Sequence, residues 1–133
     1  MDTLPIPFVT EDAAPFWAGC GRGEFLVQMC VECRKPQWFP RARCRYCHGW
    51  NMEWRADRGE GSIYSFTTVR RAADPAFSMM IPYVIAFIDM DAGFRMVSHV
   101  VNADPETLAV GQRVRVTFRE QEGFKLPVFV AGR

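Results

Sequence analysis

Four of the five cysteines in this 133-residue chain stand in two close pairs, Cys30-Val31-Glu32-Cys33 and Cys44-Arg45-Tyr46-Cys47, with ten residues between them. A thiolate is a soft ligand. A tetrahedral zinc ion takes four of them from two short knuckles that face each other across a hairpin. Cys30, Cys33, Cys44 and Cys47 are therefore the expected metal ligands. An ion with four protein ligands keeps no position for water or substrate, so its role is structural. Four thiolates also bind iron, but nothing else in the sequence singles out electron transfer, and zinc is the expected ion. The competing reading is four buried or disulfide-linked cysteines. Met1-Asp2-Thr3-Leu4-Pro5 has neither the basic start nor the apolar stretch of a secretory leader, so a reducing, cytoplasmic setting is expected. Paired cysteines there hold metal more often than they bridge. Cys20 reads as a small buried apolar residue.

These ligands need elements to hold them. Thr10-Glu11-Asp12 looks like a helix start, with Thr10 as N-cap and acids in the first turn. Phe16, Trp17 and Cys20 share one apolar face, and Phe16 and Trp17 are expected to be prominent on the helix surface, where the helix covers a cleft or docks a partner. Gly21 and Gly23 end the helix. Phe25 to Gln28 is a short strand entering the first knuckle. A ribbon this small cannot bury enough surface to fold without its metal. Beyond Arg58-Gly59-Glu60-Gly61 the pattern turns to strands: Ser62–Val69, Tyr83–Ile88, Phe94–Val101, Arg113–Arg119 and Val128–Val130. Asp91-Ala92-Gly93 is a hairpin turn, and Asp104-Pro105-Glu106 opens a short helical turn. Along Arg113–Arg119, Val114, Val116 and Phe118 alternate with outward residues, Arg119 among them. Five strands in about seventy residues suggest a small closed barrel of the OB type. The expected class is mainly β, in three parts: a helical segment (1–24), a zinc ribbon (25–57) and a five-stranded barrel (58–133).

A net charge of +1 gives no global case for nucleic acid or membrane binding, and no run is long enough to span a bilayer. The cations are concentrated locally: between Cys30 and Cys47, Arg34, Lys35, Arg41, Arg43 and Arg45 stand against Glu32 alone.

The chain resembles the zinc-ribbon and OB-fold proteins associated with acyl-CoA metabolism, a domain of otherwise unknown function. The residues that carry the resemblance span nearly the whole chain. They include Phe16-Trp17, Phe25-Leu26-Val27-Gln28 before Cys30, Phe39-Pro40-Arg41 before Cys44, Gly59-x-Gly61-Ser62-Ile63-Tyr64, Pro82-Tyr83-Val84-Ile85-Ala86, Val110-Gly111-Gln112-Arg113-Val114 and Leu126-Pro127-Val128-Phe129. Two departures stand out. The family's Gly after the first knuckle is Arg34 here, and the Pro of its second knuckle is Arg45. The resemblance implies a rubredoxin-like ribbon followed by an OB barrel. It also implies a non-catalytic accessory protein in lipid metabolism that binds an acyl-CoA, or positions it for a thiolase-like, hydratase or aldolase partner.

CoA carries phosphates at one end and an apolar acyl group at the other, so its site needs cations beside an apolar groove. Arg41 and Arg43 beside Trp38 and Phe39, with Arg70 and Arg71 at the barrel's entry, are the candidate ligand-binding residues. The same arginines also suit a solvated face, or balance the charge on a zinc thiolate centre. The runner-up function is single-stranded nucleic-acid binding, which OB barrels perform with a basic groove and stacking aromatics. Few exposed aromatic and basic residues pair on these strands, so nucleic acid is not the expected partner. No catalytic residue is expected. His48 follows a knuckle and reads as a surface residue or a donor to the metal's ligands, and His99 as a residue satisfied within its sheet. No P-loop, GxGxxG or Ser-His-Asp pattern is present. Self-association is compatible with this reading and not specified by it.

Overall fold

The computed structural model describes residues 4–72 and 74–132. The stretch Met1–Thr3, on which the reading of the leader partly rests, lies outside the described residues. No helix among them is long and apolar enough to cross a membrane.

The chain runs as helix α1 (Ala14–Gly21), strands β1 (Phe25–Cys30), β2 (Pro36–Gln37) and β3 (Met52–Asp57), then β4 (Glu60–Val69), β5 (Tyr83–Met90), β6 (Arg95–Val100), β7 (Arg113–Gln121) and β8 (Phe124–Ala131). The first three strands form an antiparallel sheet in the order β2-β1-β3. The last five close into a barrel in the order β4-β5-β6-β8-β7, with β6 and β8 parallel at Val100 and Phe129. This is the expected class: mostly strand, one short helix, a ribbon and a five-stranded barrel of the OB type.

The differences from expectation have local causes. Thr10 does not cap α1. Its Oγ1 accepts from the Ala13 N–H at 3.3 Å and closes a separate turn, while α1 begins at Ala14 with Pro15 in its first turn. Asp104-Pro105-Glu106 does form the expected turn, closed by the Thr107 N–H donating to the Asp104 carbonyl at 3.0 Å, with the Asp104 carboxylate accepting from the Glu106 N–H. β8 begins four residues before Val128, because Glu122 (φ 51°) and Gly123 (φ 84°) form a two-residue turn that pairs Gln121 with Phe124. Positive φ at both positions gives the twist that such a hairpin needs. At the barrel's start Gly59 has φ 69° and lies so close to Val116 that a Cβ there would collide with it.

One core runs through ribbon and barrel: Phe16, Cys20, Phe25 and Val27 pack with Ile63, Val84, Ala86, Ile88, Val114 and Phe129. The expectation that Phe16 lies on the helix surface is overturned, since it is 0% exposed. Its ring meets Trp38 at 4.8 Å, Trp17 at 5.0 Å and Phe25 at 5.9 Å, all edge-on, and Trp38 stacks on Phe94 in the β5–β6 turn at 5.8 Å. Helix, ribbon and barrel are thus joined by one line of aromatic rings. Cys20 is buried as expected, and burial pushes its thiol up to about 12, which keeps it an inert apolar group at neutral pH.

Candidate functional site: a thiolate centre and the clefts around it

Cys30 ends β1, Cys33 lies in the following turn, and Cys44 and Cys47 come from the facing arm. Their four sulfurs lie within 4.8 Å of one another, with Cys30 to Cys47 at 3.5 Å and Cys33 to Cys44 at 3.6 Å. Zinc–sulfur bonds of about 2.3 Å set tetrahedral sulfurs about 3.8 Å apart, so the cluster fits one zinc ion. Both knuckles have the same backbone. The N–H of the second cysteine points at the sulfur of the first, at 3.5 Å in each case. The N–H of Arg34 bonds the Cys30 carbonyl and that of His48 bonds the Cys44 carbonyl. The Cys44 thiol is pulled down to about 6, first by the Cys47 N–H. Cys47 is pushed up to about 12, because the neighbouring thiols, Cys30 foremost, outweigh the Gly49 N–H that favours its thiolate. Four thiolates this close repel one another, and a divalent cation removes that conflict.

Arg34 (φ 61°) and His48 (φ 65°) occupy the matching left-handed position after each knuckle. Arg34 stands where the resembling family has glycine, and a side chain there costs roughly 1 kcal/mol. Arg34→Gly should therefore stabilise the metal-bound ribbon by about 0.5–1 kcal/mol, read as a higher midpoint in chelator-driven zinc release.

Two buried glutamines that sequence reasoning passed over aim the cationic arm. Gln28 (4% exposed) acts as an extra backbone unit: its Nε2 donates to the Arg41 carbonyl at 2.7 Å and its Oε1 accepts from the Arg41 N–H at 3.0 Å. Gln37 (1% exposed) donates to Gln28 Oε1 at 2.8 Å and accepts from the Arg45 N–H at 2.9 Å. Gln37→Leu would strand the Arg45 N–H and the Gln28 Oε1 lone pair. At about 1–3 kcal/mol for each unsatisfied group, a loss of roughly 2–6 kcal/mol is expected, seen as a lower urea midpoint.

The arm so held carries Arg41 and Arg43 into an open depression of about 500 Å³ that also includes Arg45, His48 and Trp50. Arg43 lies 5.2 Å over the Trp50 ring and donates to the His48 carbonyl at 2.7 Å. His48 is exposed there. Lys35 and Arg45 lie over Tyr46 at 4.9 and 5.3 Å. Among the described residues, none of Arg34, Lys35, Arg41, Arg43 and Arg45 forms an ion pair.

Trp38 and Phe39 sit elsewhere. They line an open groove of about 210 Å³ between ribbon and barrel, together with Met96, Leu126, Pro127, His99 and Arg119. His99 and Arg119 also line a second depression of about 260 Å³ at the barrel mouth, beside Tyr83 and Pro82. Arg70 and Arg71 line neither, and Arg70 is engaged by Glu106 at 2.9 Å. The sequence-derived ligand residues thus fall in separate places: Arg41 and Arg43 on the ribbon, Trp38 and Phe39 in the groove, Arg70 and Arg71 on the barrel surface. Sequence reasoning missed Arg119, because an outward arginine on an alternating strand reads like its neighbours Arg113 and Arg115. His99 finds its partners within the barrel sheet, as expected: its Nδ1 faces Arg119 Nη2 on β7 at 3.3 Å, and its ring packs on Tyr83 of β5 at 5.0 Å.

Two family models match the chain in succession. The ChsH2 rubredoxin-like zinc ribbon domain matches residues 17–53, and the ChsH2 C-terminal OB-fold domain matches residues 54–119. The chain belongs to this family of paired ribbon and OB domains, also called DUF35. It is 27% identical over 126 residues to a Thermomonospora curvata protein named "Probable enoyl-CoA hydratase alpha subunit", covering 94% of this chain and 39% of that one. It is 28% identical over 92 residues to a "DUF35 domain-containing scaffold protein" of Methanothermobacter thermautotrophicus, covering 68% of each. The chain therefore spans about two fifths of the first relative's length. Among solved structures it is similar to a chain of the "Ltp2-ChsH2(DUF35) aldolase", with a TM-score of 0.85, 25% identity, and coverage of 95% of this chain and 98% of that one.

Proposed function

We propose that this chain is a non-catalytic accessory subunit that holds an acyl-CoA thioester against a partner enzyme. The partner class that its relatives' names favour is an aldolase or hydratase, and a thiolase-like enzyme is the third candidate. The observation that carries the reading is the near-complete superposition on the DUF35 chain of an aldolase complex. The ribbon adds the chemistry: arginine forks with no carboxylate partner among the described residues, suited to phosphate oxygens, and Trp50 and Tyr46 as stacking surfaces for a base. Arg41 and Arg43 take the phosphates, and the apolar end lies along Trp38 and Phe39. Arg70 and Arg71 are secondary phosphate contacts, and Arg70 must leave Glu106 to serve.

Affinity capture of the tagged chain from the cells that make it tests this, with mass spectrometry of what is retained. A CoA-thioester hydratase, aldolase or thiolase-like enzyme in near-stoichiometric amount is expected. So is heat on titration with an acyl-CoA, weakened in the Arg41→Gln/Arg43→Gln variant. No such enzyme together with no heat would overturn the reading. The competing function, single-stranded nucleic-acid binding, uses the same cations and would show a steep fall in affinity with salt.

A further inference from the structure

The groove and the barrel-mouth depression meet at a side-chain pair that the phosphate contacts above do not use. Arg119 is half-buried on β7, and no carboxylate of the described residues lies within ion-pair reach. Its Nε is buried with no partner, and its Nη2 has only two long contacts, to His99 Nδ1 and Gln121 Oε1, both at 3.3 Å. Even a partly buried cation without a counter-charge carries a desolvation cost that a paired one recovers. Gln121 is itself buried (5% exposed), and its Nε2 donates to the Pro5 carbonyl, so its Oε1 is left facing Arg119. Arginine has no acceptor atom, so His99 Nδ1 must accept from Arg119 and the ring proton sits on Nε2. Burial and the Arg119 charge both hold the His99 pKa below its ordinary value, which keeps the ring neutral. The pair therefore offers N–H donors to a cleft whose walls are apolar, and a matching ligand must bring acceptor oxygens.

We infer that Arg119, with His99 and Gln121 positioning it, binds the carboxylate of a small molecule whose apolar body lies in the groove against Trp38, Trp17 and Leu126. The groove's 210 Å³ accommodates roughly seven water-sized groups at about 30 Å³ each, which suits a short acyl chain. Only the narrower statement, that the proposed CoA ester carries a polar oxygen group at this end, rests on the function proposed above. The site itself needs neither CoA nor a partner.

The test uses the metal-loaded chain and hexanoate, read by calorimetry and by quenching of the groove tryptophans. Wild-type protein should bind hexanoate saturably. Arg119→Met should weaken binding about tenfold to a hundredfold, the range for hydrogen bonds to a charged group. Arg119→Lys should restore part of the loss. 1-Hexanol should bind wild type as weakly as hexanoate binds Arg119→Met. Arg119→Met should melt near the wild-type temperature, because it removes a half-buried charge that no carboxylate balances. Four results would each overturn the inference: no saturable hexanoate binding, equal affinity for hexanol, equal affinity for inorganic phosphate, or full binding by Arg119→Met. A melting temperature several degrees lower in Arg119→Met would also overturn it, by making Arg119 a structural residue. A failed CoA titration leaves every one of these readouts intact, so the two proposals fail separately.

Discussion

Cys30→Ser is expected to abolish stoichiometric zinc binding and to unfold the ribbon while the barrel stays folded. A structural zinc site of this kind contributes about 10–16 kcal/mol, or roughly 2.5–4 kcal/mol per ligand, which is two to three powers of ten in affinity. Serine is a hard and weakly acidic ligand, so its hydroxyl does not replace a thiolate. The ribbon has little else to stand on. β2 is two residues long, and the segment from Trp38 to Asn51 contains no strand. The barrel differs, because Ile63, Val84, Ile88, Val114 and Phe129 form its own buried layer. Metal analysis should fall from one zinc per chain to near none. Limited trypsin digestion should cut after Arg34, Arg41, Arg43 and Arg45, while the fragment from about residue 58 survives. Intact zinc content in this variant would show that the ligands are misassigned. Acidification acts in the same direction: protons compete with the ion for the thiolates, so zinc affinity should fall steadily as pH is lowered.

The second large effect concerns Phe16. Phe16→Ala is expected to cost about 3–5 kcal/mol, the range for truncating a fully buried aromatic ring. Its ring touches Trp17 in the helix, Phe25 in β1 and Trp38 between the knuckles. Trp38 in turn stacks on Phe94 at the barrel. Emptying this position should loosen the helix and the ribbon from the barrel together, so thermal unfolding should lose its single transition and show an earlier step. The groove lined by Trp17 and Trp38 should lose its shape in the same step. Unchanged melting would mean that the three parts are held by something other than this aromatic line.

Sequence legibility followed the range of each signal. The thiolate pairs were legible because a metal site imposes short fixed spacing, and the barrel strands because alternation and turn residues are local. The β5–β6 hairpin shows this well: Asp91-Ala92-Gly93 turns where expected and aligns Asp89 with Arg95. The type of the Glu122-Gly123 turn was not legible, since Glu122 carries no preference for positive φ, and β8 read as three residues instead of eight. Phe16 and Trp17 form an apolar face in either environment. Only the tertiary contacts show that one is core and the other lines a groove. Gln28 and Gln37 look like ordinary polar strand residues, and their bonds to Arg41 and Arg45 span eight to thirteen positions. Arg119 and His99 come together across the barrel from β7 and β6, a pairing that no local pattern announces.

X-ray absorption at the zinc edge, with and without an acyl-CoA, reaches the centre of this account. Under the proposed function the ion is purely architectural, and recognition happens on the surfaces it holds in place. One zinc per chain with four sulfurs at about 2.3 Å, and a spectrum unchanged by the ligand, is the predicted result. An oxygen or nitrogen neighbour at the metal, or a first shell that changes when the thioester is added, would contradict it.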